Sequence, residues 1–333
     1  MEWNRGYTAS YHCEIINPRT WQDAERAEVV SGSISRENSG LRESADLILD
    51  RRYDREQYIR LYLTASQNSD RERVALFTGL AVSPNRDIDG NTEEYKYECY
   101  SVLKPCDDVF LARGWYAPAS ISCENIIRDL LRPTPAPIEI IGIMPSLSTA
   151  IIAEDNETNL SMIDKILTAI GWIVRIGGDG TITIQPQPDA IVASFDAVEN
   201  DIVEPQLSVD DDWFDAPNVF RAISDDLVAI ARDDTGDDML SVEGRGREVW
   251  AQDTSVDLND GESIEAYAVR RLREEQVRKK SVSYKRRFLP NVAVGDSVSL
   301  HYPAQDINGI FQVKSQKIDI GFSCTTSEEV VEK

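Results

Sequence analysis

RIGGDGTI, Arg175 to Ile182, is the stretch whose reading decides the fold. A glycine-rich loop behind an apolar strand either cradles a phosphate or turns a hairpin. The phosphate reading needs a helix directly after the loop, because the helix N-terminus supplies the N–H groups and the positive dipole that hold the anion. The chain instead continues as TITIQPQP, and the loop holds no lysine. Trp172, Val174 and Ile176 alternate with Ile173 and Arg175, and Ile182 and Ile184 alternate with Thr181 and Thr183. The pattern predicts two strands around four turn residues, Gly177 to Gly180.

Upstream, TNLSMIDKILTAIG places Leu160, Ile163, Leu167 and Ile170 on one helical face, with Thr158 or Asn159 as cap and Gly171 as a left-handed stop. An earlier helix is predicted in SISCENIIRDLL, capped by Ser120 or Ser122 and broken by RPTPAPIEI, because proline cannot continue the hydrogen-bond ladder. Helix and hairpin together predict a small α+β unit from about Ser120 to Pro188. The first 117 residues read as β: YIRLYLTA, RVALFTGLAV and EYKYECYSVL are rich in β-branched and aromatic residues and are separated by polar turns. The last third returns to β in NVFRAISDDLVAIARDD, VGDSVSLHY and GIFQVKSQKIDI, with one helix in GESIEAYAVRRLREEQVRKK. The expected organisation is therefore mainly β with an α+β insert: a first β-barrel over 1–117, a helix-plus-hairpin domain over 118–190, and a second barrel over 191–333 carrying a helix at about 262–280.

Composition narrows the classes of function. The 333 residues include 58 Asp/Glu against 35 Lys/Arg, a net charge of −23. The charge is unevenly placed: Asp196 to Glu262 holds 20 acids and 4 arginines, whereas Arg270 to Arg287 holds 9 Lys/Arg and 2 Glu. A surface this acidic repels phosphate, which argues against a duplex-binding protein. No apolar run approaches the roughly 18 residues of a membrane span, and the N-terminus lacks the pattern of a secretory signal. Five irregularly spaced cysteines fit a reducing compartment better than a disulfide framework, and two histidines without a CxxC pair give no zinc site. No cofactor is expected.

Several local patterns resemble chemistry and carry bland readings. Asp87, Asp89, Asn91 and Glu98 fall at calcium-loop positions, but Thr92 replaces the required glycine and flanking helices are absent, so a solvated turn is expected. Adjacent pairs such as Asp225/Asp226, Asp233/Asp234 and Asp237/Asp238 point to opposite faces of an extended chain and do not converge on one bond. His12 beside Cys13 reads as strand packing. No GxSxG, Cys/His or HExxH pattern supports a hydrolase.

Four segments carry a family resemblance: YECYSVLKPCDDVFLARGWYAP, the helix-hairpin TNLSMIDKILTAIGWIVRIGGDGTITIQP, EPQLSVDDDWFDAPNVFRAIS, and FLPNVAVGDSVSLHYPAQDINGIFQVKSQKIDI. Together they resemble phage tail hub proteins: the myophage baseplate hub, the late-control gene D protein and the N-terminal domain of siphophage tail-associated proteins. The similarity covers most of the chain in order, in diffuse patterns. It implies a homotrimer whose two barrels per subunit make a ring of six, joining a six-fold tail tube or distal tail protein to a three-fold spike or fibre. It also implies a channel passing the tape-measure protein and then DNA, without specific nucleic-acid binding, in a virion tail assembled in the bacterial host cytoplasm. Some members carry a lysozyme or peptidase domain; the sequence leaves no room for one before Lys333, so no enzymatic activity is expected.

On that reading, subunit contacts are expected on the late helix and the strand after it, at Tyr267, Arg270, Arg271, Arg273, Arg278, Tyr284 and Arg286. Channel or partner-facing acidic loops are expected at Asp210, Asp211, Asp212, Asp225, Asp226, Asp233 and Asp234. Two alternatives stand beside it: a tail-associated cell-wall hydrolase, and a carbohydrate-binding β module using exposed aromatics among Trp115, Trp213 and Trp250.

Overall fold

A computed structural model describes residues 1–3, 5–82, 84–89, 92–197, 203–210, 213–224, 227–236, 238–254, 256, 262–276 and 280–333. The chain is mainly β and forms two compact units, Met1–Leu207 with Ser283–Val330, and Ser208–Val282 with Val331–Lys333.

The larger unit opens with β1 (Thr8–Asn17), β2 (Gln22–Glu37), β3 (Glu43–Leu49), β4 (Gln57–Gln67), β5 (Asp70–Ala81), β6 (Asn85–Asp89) and β7 (Thr92–Ser101). Their order is β1-β4-β5-β7-β3-β2, and β2 pairs back onto β1, so six strands close into a barrel with β6 as a hairpin flap on β7. Closure removes the free edges that an open sheet exposes. The closing pair contains an irregularity at Ile15/Ile16, of the kind that bends a strand enough to turn a barrel corner. Alternation sends Ile59, Leu61, Leu63 and Ala65 of β4 inward against Leu47, Leu49, Leu76 and Phe77. Each such large apolar side chain contributes about 1.5–3 kcal/mol on burial.

The insert contains α1 (Lys104–Asp107), β8 (Tyr116–Ala117), α2 (Cys123–Leu130), β9 (Ile138–Ile140), β10 (Ile151–Ile152), α3 (Asn159–Ala169), β11 (Trp172–Ile176) and β12 (Ile182–Pro186). The helix expected behind Thr158 starts there: the Thr158 hydroxyl accepts the Ser161 N–H and the Ser161 hydroxyl accepts the Thr158 N–H, a reciprocal cap. Leu160, Ile163, Ile166 and Leu167 of α3 pack with Ile127 and Leu130 of α2 and with Trp172, Val174, Ile182 and Ile184 of the hairpin. β11 and β12 pair antiparallel from Trp172↔Pro186 to Ile176↔Ile182, and β9 joins β12 in parallel.

The chain continues with β13 (Ile191–Asp196) and β14 (Val203–Asp210). The smaller unit then supplies β15 (Val219–Ser224), β16 (Leu227–Arg232), α4 (Val242–Arg245), β17 (Trp250–Asp253) and α5 (Ile264–Gln276). The chain ends in β18 (Ser281–Arg287), β19 (Ser297–Tyr302), β20 (Ile307–Ile320) and β21 (Thr325–Glu332). These strands run in the order β13-β19-β20-β21-β18-β14, and β2 pairs with β20 from Gly32↔Ile320 to Glu37↔Ser315, so they and the first barrel belong to one continuous sheet.

The smaller unit is a three-stranded sheet ordered β16-β15-β17 with one helix on it. Phe220 and Ala222 of β15 and Ala229 and Ala231 of β16 face Ile264, Tyr267, Ala268 and Leu272 of α5, which recur at helical spacing. Buried Asn218 ties the surrounding loops: its amide donates to the Leu240 and Arg247 carbonyls, and its oxygen accepts the Val249 N–H.

Candidate functional site

The glycine loop does hold something, and it is a strand of the first barrel. Gly177 N–H donates to the Thr181 carbonyl and Gly180 N–H to the Gly177 carbonyl, closing the turn. The tip lies against β5, where the Thr78 hydroxyl donates to the Gly178 carbonyl at 2.7 Å. Arg60 and the Trp21 indole both donate to the Asp179 carbonyl, at 2.8 and 3.1 Å. Arg60 is buried, and its other nitrogens reach the Thr78 hydroxyl and Asp23 at 3.1 and 2.9 Å. A side chain at Gly178 would collide with the Ala75 carbonyl, so this position needs glycine for backbone-to-backbone approach. The loop is thus a plug that seats the insert on the barrel wall, and its carbonyls accept where a phosphate loop presents N–H groups.

Two more charge pairs fix the insert: Arg42 reaches Asp164 of α3, and Arg175 of β11 reaches Asp296 before β19 at 2.6 Å. Beside them Arg36 approaches Glu43 at 3.4 Å. Burial pushes the Glu43 carboxyl up to about 8 against the pull of Arg36, and one of its oxygens has no partner.

The residues expected at subunit contacts divide into two groups. Tyr267 is buried in the small unit with its hydroxyl on Asp253 at 2.6 Å. Tyr284 is buried and packs edge-on against Phe195, with ring centroids 5.8 Å apart. Arg286 is buried in a two-pronged pair with Glu328, which also accepts from Gln316 at 2.6 Å. All three are buried within their own chain, and the Tyr284 hydroxyl has no hydrogen-bond partner among the described residues. Arg270, Arg271 and Arg273 lie on the outer side of α5; Arg270 pairs with Glu262 and Glu274, and Arg271 with Glu274 and Glu275. Arg278 lies outside the described residues.

Of the expected acidic loops, Asp211, Asp212, Asp225 and Asp226 also lie outside the described residues. Asp210 is exposed at the end of β14, and Asp234 is exposed and paired with Arg232 at 2.6 Å. Asp233 is half-buried, accepting from the Thr235 hydroxyl and from Gln276. Asp233 thus serves a turn and Asp234 an ion pair.

Pairing across strands brings together acids that lie far apart in the chain. Glu98 of β7 is opposite Asp46 of β3, Asp46 is opposite Ser33 of β2, and Ser33 is opposite Asp319 of β20. All four line a hollow of about 630 Å3 that Lys96 and Lys317 also border. Like charges in neighbouring strands cost stability, which packing elsewhere in the barrel offsets. Among the described residues no group of three or more His, Cys, Asp or Glu side chains is placed to hold a metal ion.

The remaining patterns resolve as local structure. Asp87 pairs with Lys96 on the β6–β7 hairpin, with Asn91 outside the described residues. His12 stacks on Tyr62 at 5.2 Å, and burial pushes the neighbouring Cys13 thiol up. All five cysteines are buried free thiols. Trp115 is half-buried, whereas Trp213 and Trp250 are exposed. No helix among the described residues is long and apolar enough to cross a membrane.

No protein-family model matches the sequence, and no curated protein matches it. Solved structures do match in fold. A tail protein from Neisseria meningitidis MC58 superposes with a TM-score of 0.70 at 13% identity, covering 99% of this chain and 97% of that one. The 43 kDa tail protein of prophage MuSo2 from Shewanella oneidensis gives 0.68 at 11%, covering 98% of each chain. A prophage tail protein from Listeria monocytogenes EGD-e gives 0.54 at 14%, covering 97% of this chain and 94% of that one. The chain therefore has the fold of phage tail proteins, in agreement with the resemblance drawn from its sequence.

Proposed function

We propose that this chain is a structural hub of a phage or phage-like tail, acting by shape and carrying out no bond-making chemistry. The observation that carries the reading is the likeness in fold to two prophage tail proteins and a further tail protein along nearly the whole chain. In this reading β13, β19, β20, β21, β18 and β14 make a second barrel beside the closed first one, and two barrels per subunit give a three-fold ring six similar modules. Identical subunits then close a trimeric ring that meets a six-fold tube on one side and a three-fold spike or fibre on the other.

The modules of this proposal are the barrel of 1–117, the insert of 118–190 and the barrel of 191–333. Its partners are a second and third copy, a tail-tube or distal tail protein, the tape measure, and a spike or fibre. The proposed subunit contacts are those of the α5 region and the strand after it, Tyr267, Arg270, Arg271, Arg273, Arg278, Tyr284 and Arg286, of which Tyr267, Tyr284 and Arg286 are buried in their own chain. A net charge of −23 supports a channel through which DNA slides without being held. Gold-labelled antibody against the chain should decorate the tail tip of intact particles in electron micrographs. Label confined to the capsid, or absent from the particle, overturns the reading.

The exposure of Trp213 and Trp250 favours one second reading, a carbohydrate-binding surface. Binding on a glycan array that is lost in the double variant Trp213→Ala, Trp250→Ala would establish it. A blank array returns those aromatics to protein contacts.

A further inference from the structure

Among the described residues α5 covers one face of the small unit's sheet, and on the other face Val219 is buried while the strand ends beyond it are exposed. α5 lies over Phe220, Ala222, Ala229 and Ala231, and alternation sends their neighbours to the opposite side. Register places Ile223 opposite Val228, Arg221 opposite Ile230 and Gln252, and Val219 opposite Arg232 and Trp250. Val228, Ile230 and Trp250 stay 59%, 57% and 52% exposed. β15 and β17 run parallel, and parallel pairs ordinarily occur where both faces are covered. Trp and Arg are present and Lys is absent among the described residues of this face, the composition of the centre of a protein contact.

Charge identifies the occupant. Arg232 is already neutralised by Asp234 and Glu248, and Glu248 also accepts the Trp250 indole N–H at 2.9 Å, which holds the ring in place. Arg221 differs: it donates to the neutral Gln252 side chain at 2.6 Å, its Nε is buried without a partner, and no carboxylate pairs with it among the described residues. A partner on this face must therefore bring an acid. The same unit carries exposed acids, Asp210, Asp215 and Glu243, that make no ion pair among the described residues. One chain thus holds both halves of a complementary pair, an apolar face with an uncompensated cation and an acidic surface. That is what a head-to-tail contact between identical subunits requires, and such a contact closes into a ring when the rotation suits.

We propose that the open face of the small unit, centred on Ile230 and Arg221, receives an acidic surface of a second copy of this chain. This rests on the trimeric reading above and adds to it the surface through which one subunit holds the next. Light scattering on the full chain across a concentration series tests both separately. The expected result is a trimer for the native chain, a monomer for Ile230→Asp and Val228→Asp, and at least tenfold weaker association for Arg221→Glu, with Arg221→Lys restoring most of it. Circular dichroism should show all four variants folded, because none of the altered side chains packs under α5. Native trimers together with folded, trimeric Ile230→Asp and Arg221→Glu variants overturn this surface and leave the trimeric reading standing. A native chain that stays monomeric at every concentration overturns the trimeric reading, and this inference with it.

Discussion

The two units of the chain solve the same problem differently. In the larger unit each strand of the first barrel has a neighbour on both sides, and the insert's turn is plugged into the wall by Thr78, Arg60 and Trp21. In the smaller unit a three-stranded sheet has one face under α5 and, among the described residues, leaves Val228, Ile230 and Trp250 of the other exposed. A closed barrel holds its own folding energy, whereas a half-covered sheet leaves apolar surface for something else to bury. On the proposed reading, stability and assembly fall to different parts of the molecule, and substitutions should separate them.

The sharpest break lies in the closed part. Glu328→Ala leaves Arg286 charged and unpaired in the interior, which costs about 3–5 kcal/mol, and urea unfolding should register it as a lowered midpoint. Glu43 gives the next effect, as a pH dependence. Its carboxyl lies at about 8 in the folded chain against an ordinary value of 4.5, so the folded state keeps a proton that the unfolded state releases. Stability from this group is complete below about pH 4.5, falls as pH rises toward 8 by up to about 1.4 kcal/mol per pH unit, and is level above that. Glu43→Gln should flatten that decline in melting curves taken from pH 5 to 8.

Gly178→Ala pushes the turn off Ala75 and should cost about 1–3 kcal/mol, the usual penalty of overpacking. Amide exchange would place the loosening at residues 172–186. At the small end, Ile230→Asp should change the thermal stability of the chain by less than about 0.5 kcal/mol when both proteins are compared at concentrations where they are monomeric, as a surface substitution does. A large loss there would mean that the open face supports the fold, and the contrast between the units would collapse.

Local periodicity makes the hairpin, α2, α3, α5 and the strands β4, β5 and β7 legible, because their signals repeat within a few residues. Thr158 is readable as a cap for the same reason. Closure of β1 onto β2 and the pairing of β2 with β20 join residues far apart in sequence, and no local pattern encodes them. The purpose of GGDG is half legible: turn chemistry predicts the hairpin, but the approach to Ala75 arises only once the barrel exists. Tyr267, Tyr284 and Arg286 read as contact residues because aromatic and arginine side chains favour interfaces, and the same side chains also fill interiors when a partner such as Glu328 meets them. The open face is hidden because Val228 and Ile230 look like any core alternation until the position of α5 is known.

The 16-residue strand β2 has a mechanical consequence. Belonging to the first barrel and pairing with β20 beyond it, it is the rope between the two strand sets: tension applied to one reaches the other as a sliding load on the ladder from Gly32 to Glu37, whose rungs resist together. A splice of that kind carries a pull from one strand set to the other without letting them part.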